Sequence, residues 1–164
     1  MLEKPAIRHD LRPGDMGLVI ALHGREYAEG WGLDRTFETH VSRQMAEYGE
    51  RFAVDPDEGR LWIAEQGDTM IGSIAVTRDS PTHCHLRWFC LARHARGQGL
   101  GRRMLDGALA YAREHGYTTM TLETFSDLHA AAHLYREAGF VMLDEQPVPR
   151  WGRVIELRHY ELKL

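Results

Sequence analysis

The segment "ARGQGLGRRML", from Ala95 to Leu105, places three glycines within five positions and follows them with two arginines. An apolar run precedes it, and from Leu100 to His115 the apolar residues recur three and four positions apart. That spacing predicts an amphipathic helix, preceded by a strand that ends near the glycines. A glycine-rich turn at the start of a helix leaves several backbone N–H groups unpaired and directs them, with the positive end of the helix dipole, at one point. The segment therefore predicts a binding site for a phosphate group.

Two other phosphate-binding motifs match this loop incompletely. A nucleotide-hydrolysing P-loop needs a lysine and a serine or threonine after its last glycine, where Arg102 and Arg103 stand instead. A dinucleotide fingerprint needs a third glycine where Met104 stands, although Glu123 supplies an acidic residue on the next predicted strand, so this alternative stays open. A purely structural alternative is a turn that packs the helix against the strand. Arg96 and the other arginines around the glycines add positive charge, which favours a small anion.

Length and composition indicate one globular domain that covers residues 1–164. The chain has 43% hydrophobic residues, enough for a buried core, and 27% charged residues. No stretch is long and apolar enough to span a bilayer or to act as a secretion signal, so we expect a cytoplasmic protein without a membrane partner. Cys84 and Cys90 form neither a disulfide framework nor a metal-binding CxxC pair. A net charge of −4 argues against nucleic acid as a general partner.

The order of the predicted helices and strands indicates an α/β fold. The predicted elements are a strand at 6–11, helices at 15–29 and 35–52, two strands within 60–78 that are joined by the turn "QGDT", a strand at 85–92, a helix at 100–115, a strand at 116–124, a helix at 127–138 and strands at 139–143 and 154–162. Asp15 is predicted to cap the first helix, and Gly139 to end the last one. This order predicts a mixed antiparallel and parallel sheet with helices layered on it.

Two motifs resemble the signatures of the GNAT superfamily of N-acetyltransferases. "RGQGLG", from Arg96 to Gly101, matches the Arg/Gln-x-x-Gly-x-Gly/Ala loop of that family, and "AAHLYREAGF", from Ala131 to Phe140, is similar to its second signature. The motifs stand in the family's order and separation, and the order of elements over most of the chain is similar as well. "LRPGD", "LHGREYAEGWG" and "TF" near the N-terminus resemble the acetyltransferase domains that are fused to MarR-type regulators. The resemblance implies a GNAT-like mixed antiparallel and parallel central sheet flanked by helices.

The same resemblance implies acetyl-CoA as the cofactor, used as a co-substrate. In the family, backbone amides of the glycine loop hold the pyrophosphate, and the pantetheine arm inserts where two neighbouring strands splay and pairs with the strand before the loop. The implied cofactor-binding residues are Leu91 and Ala92, through backbone groups, and the loop residues Arg96, Gly97, Gln98, Gly99, Leu100, Gly101 and Arg102. Leu128 stands where many members have an asparagine that contacts the pantetheine arm, so that side-chain contact is not expected here.

Acetyl transfer to an amine benefits from a group that protonates the departing thiolate, and Tyr135 is the predicted acid. A phenol has an ordinary pKa of about 10, near that of a thiol, so it can donate a proton without being permanently ionised. The resemblance implies the same role for a tyrosine at this place. In the alternative interpretation, Tyr135 belongs with Leu134 and Ala138 to the buried stripe of its helix.

The base that accepts the amine proton is predicted to be Glu123, since the strand before the loop has no carboxylate. Glu123 stands twelve positions before Tyr135, a spacing at which N-terminal amine acetyltransferases of the superfamily pair a glutamate with the tyrosine. The alternative is a surface glutamate or one that is bonded to neighbouring backbone. His23 and Tyr27 lie four positions apart on one helical face and are predicted to line the acceptor pocket or relay a proton. For both, a half-buried helix face is the alternative.

The histidines and cysteines do not combine into a predicted metal site or nucleophile. "HCH" at 83–85 and "HAAAH" at 129–133 have ligand-like spacing, but Ala130 stands where an HExxH helix needs glutamate, and no further cluster completes a ligand set. Cys90 lies in an apolar run, and no base is identifiable for Cys84. We therefore expect no metal, and direct attack by the amine without an acyl-enzyme.

Together the motifs predict transfer of an acetyl group from acetyl-CoA to a primary amine in a ternary complex. We expect the acceptor to be a small-molecule or peptide amine, and the sequence does not show which one. The alternative is a non-catalytic acyl-CoA-binding sensor module, which the resemblance to regulator-fused domains suggests. An intact Tyr135 favours catalysis, and the lack of a firmly assigned base favours the sensor. Family members often pair, and the resemblance extends the expectation of a homodimer to this chain.

Overall fold

A sheet of seven strands forms the centre of the fold in the computed structural model, which describes residues 3–164. The strands are β1 (Ala6–Arg8), β2 (Gly59–Gln66), β3 (Thr69–Arg78), β4 (His83–Leu91), β5 (Thr119–Phe125), β6 (Val141–Arg150) and β7 (Arg153–Lys163). The helices are α1 (Asp15–Trp31), α2 (Arg35–Val54), α3 (Leu100–Glu114) and α4 (His129–Glu137). In the strand order β1-β2-β3-β4-β5-β7-β6, β4 and β5 run parallel and the other neighbours antiparallel. The predicted α/β class with a mixed sheet is confirmed.

Helices cover both faces of the sheet because successive residues of each strand point to opposite sides. Leu61 and Ile63 of β2 belong to a buried cluster with α1 and α2, whereas Trp62 and Ala64 belong to a second cluster with α3. The apolar stripe that the sequence predicts for α3 is buried in this second cluster: Leu100, Met104, Leu105, Ala108, Leu109 and Ala112. Within residues 3–164, no helix has the length and apolar character needed to cross a membrane.

An irregularity in β4 shapes the centre of the sheet. Ser73 of β3 pairs with Cys90 and Ala75 pairs with Arg87, so two steps along β3 face three along β4. The extra residue makes a β-bulge in which Trp88 has a φ of 47°, a left-handed conformation that bulky residues rarely adopt. The hydroxyl of Ser73 is buried and donates a hydrogen bond of 2.7 Å to the carbonyl of Trp88. This bond holds the bulge in place.

β4 and β5 pair over three positions and then separate. The pairing ends at His85↔Thr121. Beyond it, residues 86–91 of β4 and 122–125 of β5 have no partner across the gap in the part of the chain that the structure describes. A bulge bends its strand and increases the local twist, so the bulge in β4 accounts for the divergence. The result is a cleft between two neighbouring parallel strands, as the family resemblance implies.

The ends of two helices test the capping residues predicted from the sequence. Gly139 ends α4 with a φ of 97°, as predicted. The sequence predicts that Asp15 caps α1, and this prediction is wrong. The N-cap residue is Gly14, which has no side chain to form a capping hydrogen bond. The Asp15 carboxylate instead accepts hydrogen bonds of 2.8 and 2.7 Å from the guanidinium of Arg8 and one of 2.7 Å from the N–H of Arg12. A bidentate charge-assisted pair is stronger than one capping bond, and it ties β1 to α1.

The C-terminal hairpin is longer than the sequence predicts. The predicted strand ends at residue 143, whereas β6 continues to Arg150 through Pro147 and Pro149. Proline lacks a backbone N–H and so argues against a strand, but an edge strand leaves one side unpaired and tolerates it. β6 is such an edge strand, because β7 is its one neighbour in the sheet order.

We expect Ser73→Ala to destabilise the protein by about 1–3 kcal/mol, because the buried carbonyl of Trp88 loses its side-chain partner. Urea denaturation measures the free energy of unfolding. Ser42→Ala is the matched control, since the Ser42 hydroxyl donates to the Glu38 carbonyl on the exposed side of α2, and a change within about 0.5 kcal/mol is expected there. Equal effects of the two substitutions would contradict the role of Ser73 in holding the bulge.

Candidate functional site

The backbone amides of the glycine loop are free to bind a ligand. Within residues 3–164 the N–H groups of 97–102 have no acceptor in the protein, and the helical ladder begins with the bond of 3.1 Å from Arg103 to the Gly99 carbonyl. Gly97 and Gly99 have φ values of 73° and 76°, in the left-handed region that glycine enters without strain. A Cβ at either position would meet no atom within 4 Å, so the surface outside the loop is open. Convergent amides at the start of a helix form a binding site for an anion.

The third glycine, Gly101, serves mainly to let elements pack closely. A Cβ atom there would lie 3.3 Å from Leu134, 3.4 Å from Leu91 and 3.5 Å from Phe89. The missing side chain therefore allows α3 to approach both β4 and α4. The packing interpretation of the glycines thus applies to Gly101, whereas the open loop around the first two glycines fits the interpretation as an anion site.

Two arginines of the loop are already paired with carboxylates of the protein. Arg96 donates from Nε to the Leu91 carbonyl at 2.9 Å and pairs through Nη2 with Glu26 of α1 at 2.5 Å. Arg102 pairs with Glu137 of α4. These pairs fasten the loop to both helices, and they leave the backbone amides as the main anion-binding groups.

A groove of about 430 Å³ extends from the loop along β4. Its other walls come from α1, through Tyr27 and Trp31, and from residues of 128–134 at the start of α4. Six of the nine predicted cofactor-binding residues line the groove: Leu91, Arg96, Gly97, Gly99, Gly101 and Arg102. The structure therefore brings most of the predicted set to one continuous space.

The other three predicted residues, Ala92, Gln98 and Leu100, do not line the groove. The N–H of Ala92 donates to the Ile71 carbonyl of β3 at 2.8 Å. Neighbouring residues of a strand direct their backbone N–H and C=O groups to opposite edges, so the N–H and C=O of Leu91 face the cleft. Leu100 is buried in the core, and the Gln98 side chain bonds to the backbone of the same loop.

A second, smaller cavity of about 120 Å³ lies on the side of the sheet that α2 covers. Four residues line both this cavity and the groove, so the two spaces are adjacent: Tyr27, Phe89, Leu128 and Ala131. Polar side chains of α2, β4 and β5 surround the smaller cavity: His40, Gln44, His85, Arg87, Glu123 and Thr124. One space thus reaches an anion site and the other is lined with titratable groups. Such a junction suits a reaction between two substrates.

Tyr135 lines the smaller cavity and is also part of the core. It is 5% exposed, and its ring centre lies 5.7 Å from that of Phe140, 6.0 Å from that of Tyr160 and 6.3 Å from that of Phe89. Burial raises the pKa of Tyr135 above its ordinary value, so the phenol keeps its proton at neutral pH. The ring is therefore packed, as one interpretation of the sequence expects, and it also borders the cavity, as the other expects.

Glu123 stands at the smaller cavity as part of a chain of three polar side chains. Its Oε1 lies 3.0 Å from Nε2 of His159, whose Nδ1 lies 2.6 Å from Oδ1 of Asp144. β7 lies between β5 and β6, and the pairing places His159 opposite both carboxylates. Sequence reasoning missed His159 and Asp144, because the register of three strands is what brings them to Glu123.

His23 and Tyr27, which the sequence predicts at an acceptor pocket, both line the smaller cavity. His23 is 2% exposed, and its Nδ1 lies 2.8 Å from the Val19 carbonyl. Burial lowers the pKa of His23 to about 4, so the ring is neutral at physiological pH and Nδ1 carries the proton of that bond. The described residues offer no partner to its Nε2. The Tyr27 ring stacks on Phe37 at 4.4 Å, and the two predicted residues form an aromatic wall.

The histidine and cysteine motifs do not come together as a metal centre in residues 3–164. His85 bonds to a threonine of β5, whereas His133 pairs with Glu137 at 3.2 Å. Cys84 and Cys90 are buried, and burial raises the pKa of each thiol to about 12. A thiol that stays protonated is a poor nucleophile.

Curated relatives that match the chain carry the name N-acetyltransferase. The chain is 29% identical to N-acetyltransferase 8F1 of Rattus norvegicus over 110 residues, which cover 64% of this chain and 50% of that protein. It is 27% identical over 133 residues to an uncharacterized N-acetyltransferase of Schizosaccharomyces pombe, with 76% of this chain and 78% of that protein covered. The chain spans about half the length of several of these relatives, the rat protein among them.

Solved structures and a family model agree with these relatives. The structure of yncA from Salmonella typhimurium with its cofactor acetyl-CoA has a TM-score of 0.75 and 18% identity, with 99% of this chain and 95% of that one covered. An N-acetyltransferase from Staphylococcus aureus Mu50 has a TM-score of 0.78 and 15% identity, with 98% and 99% covered. At such identities the likeness establishes the fold. The model of the acetyltransferase (GNAT) family matches residues 21–140, most of the chain, and the chain therefore belongs to the GNAT family of acetyltransferases.

Proposed function

We propose that the protein transfers an acetyl group from acetyl-CoA to a primary amine in a ternary complex. The observation that carries this proposal is the adjacency of the groove and the smaller cavity, which share four lining residues. The groove begins at the free loop amides, which suit a pyrophosphate, and the cavity is bordered by Glu123 and Tyr135. The names of the curated relatives support the same activity.

The groups that line the groove fit acetyl-CoA. The open amides of 97–102 would bind its pyrophosphate, and the backbone of Leu91 would pair with the pantetheine arm between β4 and β5. Arg96 already engages the Leu91 carbonyl, which leaves the N–H of Leu91 for that pairing. When bound, acetyl-CoA supplies an activated acetyl group, so that an N–C bond forms to the acceptor while the thioester C–S bond breaks.

Two side chains would handle the protons of this transfer. Glu123 would accept a proton from the attacking amine, since it lines the cavity and its side chain is 45% exposed, which lets the proton pass on to solvent. Tyr135 would donate its phenolic proton to the departing thiolate and regain one from solvent after the products leave. Its raised pKa keeps that proton in place before the transfer. Attack is direct, because both cysteine thiols stay protonated in the core.

Calorimetric titration with acetyl-CoA tests the cofactor half of the proposal, with ATP and NAD as control ligands. We expect selective binding of acetyl-CoA, followed by acetylation of members of an amine panel. Preference for ATP or NAD would contradict the assignment of the loop. Binding of acetyl-CoA without acetylation of any amine would favour the non-catalytic acyl-CoA sensor.

We expect Tyr135→Phe to lower kcat by about 10²–10⁴-fold, because the departing thiolate loses its acid, while the Kd for acetyl-CoA changes by less than about twofold. Steady-state kinetics and calorimetry measure the two quantities. Tyr160→Phe is the matched control, since Tyr160 is equally buried and lies 6.0 Å from Tyr135 but does not line either space. Turnover by Tyr135→Phe at the wild-type rate would rule out the assignment of the acid.

His159 acts as a positioning residue in this proposal, because it fixes the orientation of the Glu123 carboxylate. Hydrogen bonding to Asp144 raises the pKa of His159 above its ordinary 6.5, and the bond to Glu123 adds to the effect. A raised pKa in the folded state means that protonated His159 stabilises the fold fully below pH 6.5. That stabilisation is lost as the pH rises through the folded-state pKa.

Asp144→Asn removes the largest cause of the raised pKa, so we expect the pKa of His159 to fall toward 6.5 and the loss of stability at alkaline pH to shrink. NMR titration of the His159 ring gives the pKa, and urea denaturation on either side of neutrality gives the stability. Glu145→Gln is the matched control, because it removes one negative charge from the next residue, which pairs with Arg158. A His159 pKa that does not change in Asp144→Asn would contradict the chain of contacts.

A further inference from the structure

Arg87 places a guanidinium without a direct carboxylate partner at the smaller cavity, although Asp79, Glu123 and Glu47 act on its charge from beyond ion-pair distance. It lies on β4, lines the cavity and donates from Nε to Thr77 Oγ1 at 3.0 Å. Within residues 3–164 this is its one side-chain hydrogen bond, and no carboxylate lies within 4.0 Å of its guanidinium. Several other partly buried arginines do pair with carboxylates, among them Arg8, Arg78 and Arg153. Arg87 differs from these three arginines because most of its guanidinium N–H donors have no acceptor among the described residues.

The surroundings of Arg87 favour an anionic ligand. The residue is partly buried, and loss of hydration lowers its pKa, which shows that its charge is held in an unfavourable place. The guanidinium nevertheless stays protonated in proteins. Thr77 engages Nε, and the two Nη groups have no hydrogen-bond acceptor among the described residues. A planar pair of such donors matches a carboxylate, which accepts two parallel hydrogen bonds.

The other titratable groups that line the cavity do not supply positive charge at neutral pH. Burial lowers the pKa of His85 to about 3 and that of His23 to about 4. Burial also lowers the pKa of His40 below its ordinary value. Among the described residues that line the cavity, the charged pair is therefore Arg87 and Glu123.

Arg87 and Glu123 stand opposite each other where β4 and β5 separate. The parallel pairing ends at His85↔Thr121, and each strand reaches its charged residue two positions further on. Residues two apart on a strand point to the same side of the sheet, so the pair borders the cavity from two walls. A ligand that is complementary to both residues carries an anionic group, which pairs with Arg87, and an amine, which lies beside Glu123.

We propose that the acceptor is a free α-amino acid whose carboxylate binds Arg87 and whose amine lies beside Glu123. This inference rests on the proposed acetyl transfer and names its acceptor class. An α-amino acid has its amine and carboxylate on one carbon atom, which suits a cavity of about 120 Å³ between the two walls. A protein N-terminus or a lysine side chain has no carboxylate next to the amine and would leave Arg87 unpaired.

Matched substrates test the proposal on the unaltered protein. The quantity measured is kcat/KM for a panel of α-amino acids, for the amides of the same amino acids and for the corresponding aminoalkylphosphonic acids. We expect the free acids to exceed their amides by about 100-fold, because the amide cannot form the charge-assisted pair. Equal use of acids and amides would overturn the proposal, and so would preference for the phosphonic acids.

Variants of Arg87 locate the effect at this residue. We expect Arg87→Met to raise the KM for the best amino acid by about 100-fold, while kcat/KM for its amide changes by less than about threefold. Arg87→Lys is expected to lie between these limits, because lysine keeps the charge and loses the fork of donors. Calorimetry should show the same affinity for acetyl-CoA in both variants. Arg51→Met is the matched control, since Arg51 is an exposed arginine of α2 that does not line the cavity.

The outcomes separate this inference from the proposed function. If acids and amides are acetylated equally, the transferase activity stands and the acceptor class is wrong. If acetyl-CoA binds and no amine of any class is acetylated, both are wrong. If circular dichroism shows that Arg87→Met does not fold, the comparison of acids with amides on the wild-type protein decides the question alone.

Discussion

The separation of β4 from β5 beyond His85 and Thr121 is the constraint on which the rest of the structure depends. Backbone groups in the interior of a sheet are normally paired, so a gap between two neighbouring strands leaves donors and acceptors that need another partner. The bulge at Trp88 keeps the strands apart, and the buried hydroxyl of Ser73 secures it from β3. Residues of both strands line the smaller cavity beneath α2, and the groove follows β4 from there toward the glycine loop.

Backbone and side chains have different tasks in the two spaces. In the groove the free groups are main-chain amides, while Arg96 and Arg102 are tied to carboxylates of the neighbouring helices. In the smaller cavity the character comes from side chains, above all Arg87, Glu123 and Tyr135. Under the proposed activity, the groove binds acetyl-CoA and the smaller cavity binds the acceptor.

Local signals explain which features could be predicted from the sequence. Apolar periodicity, turn residues and the glycine spacing predict the helices, most strands and the loop. The roles of Glu123 and Tyr135 are predicted through the resemblance of the motifs to those of the GNAT family. His159 could not be predicted in this way, because its contact with Glu123 depends on the register between β5 and β7. The hydrophobic pattern indicates which face of the sheet a residue lies on, but not which residue of the neighbouring strand stands opposite it. The role of Arg87 could not be predicted either, because the local sequence does not show whether an arginine within a strand pairs with a carboxylate in the fold. The choice between Leu91 and Ala92 also depends on the pairing with β3.

The reliance of the groove on main-chain amides has an evolutionary consequence. Every residue type except proline carries the same amide, so most substitutions in the loop that preserve its glycines also preserve its binding groups. The smaller cavity has no such protection, since its chemistry comes from side chains such as those of Gln44 and Arg87, and one codon change replaces a side chain. Under the proposed activity, copies of this gene can therefore diverge in the amines that they acetylate and still use acetyl-CoA.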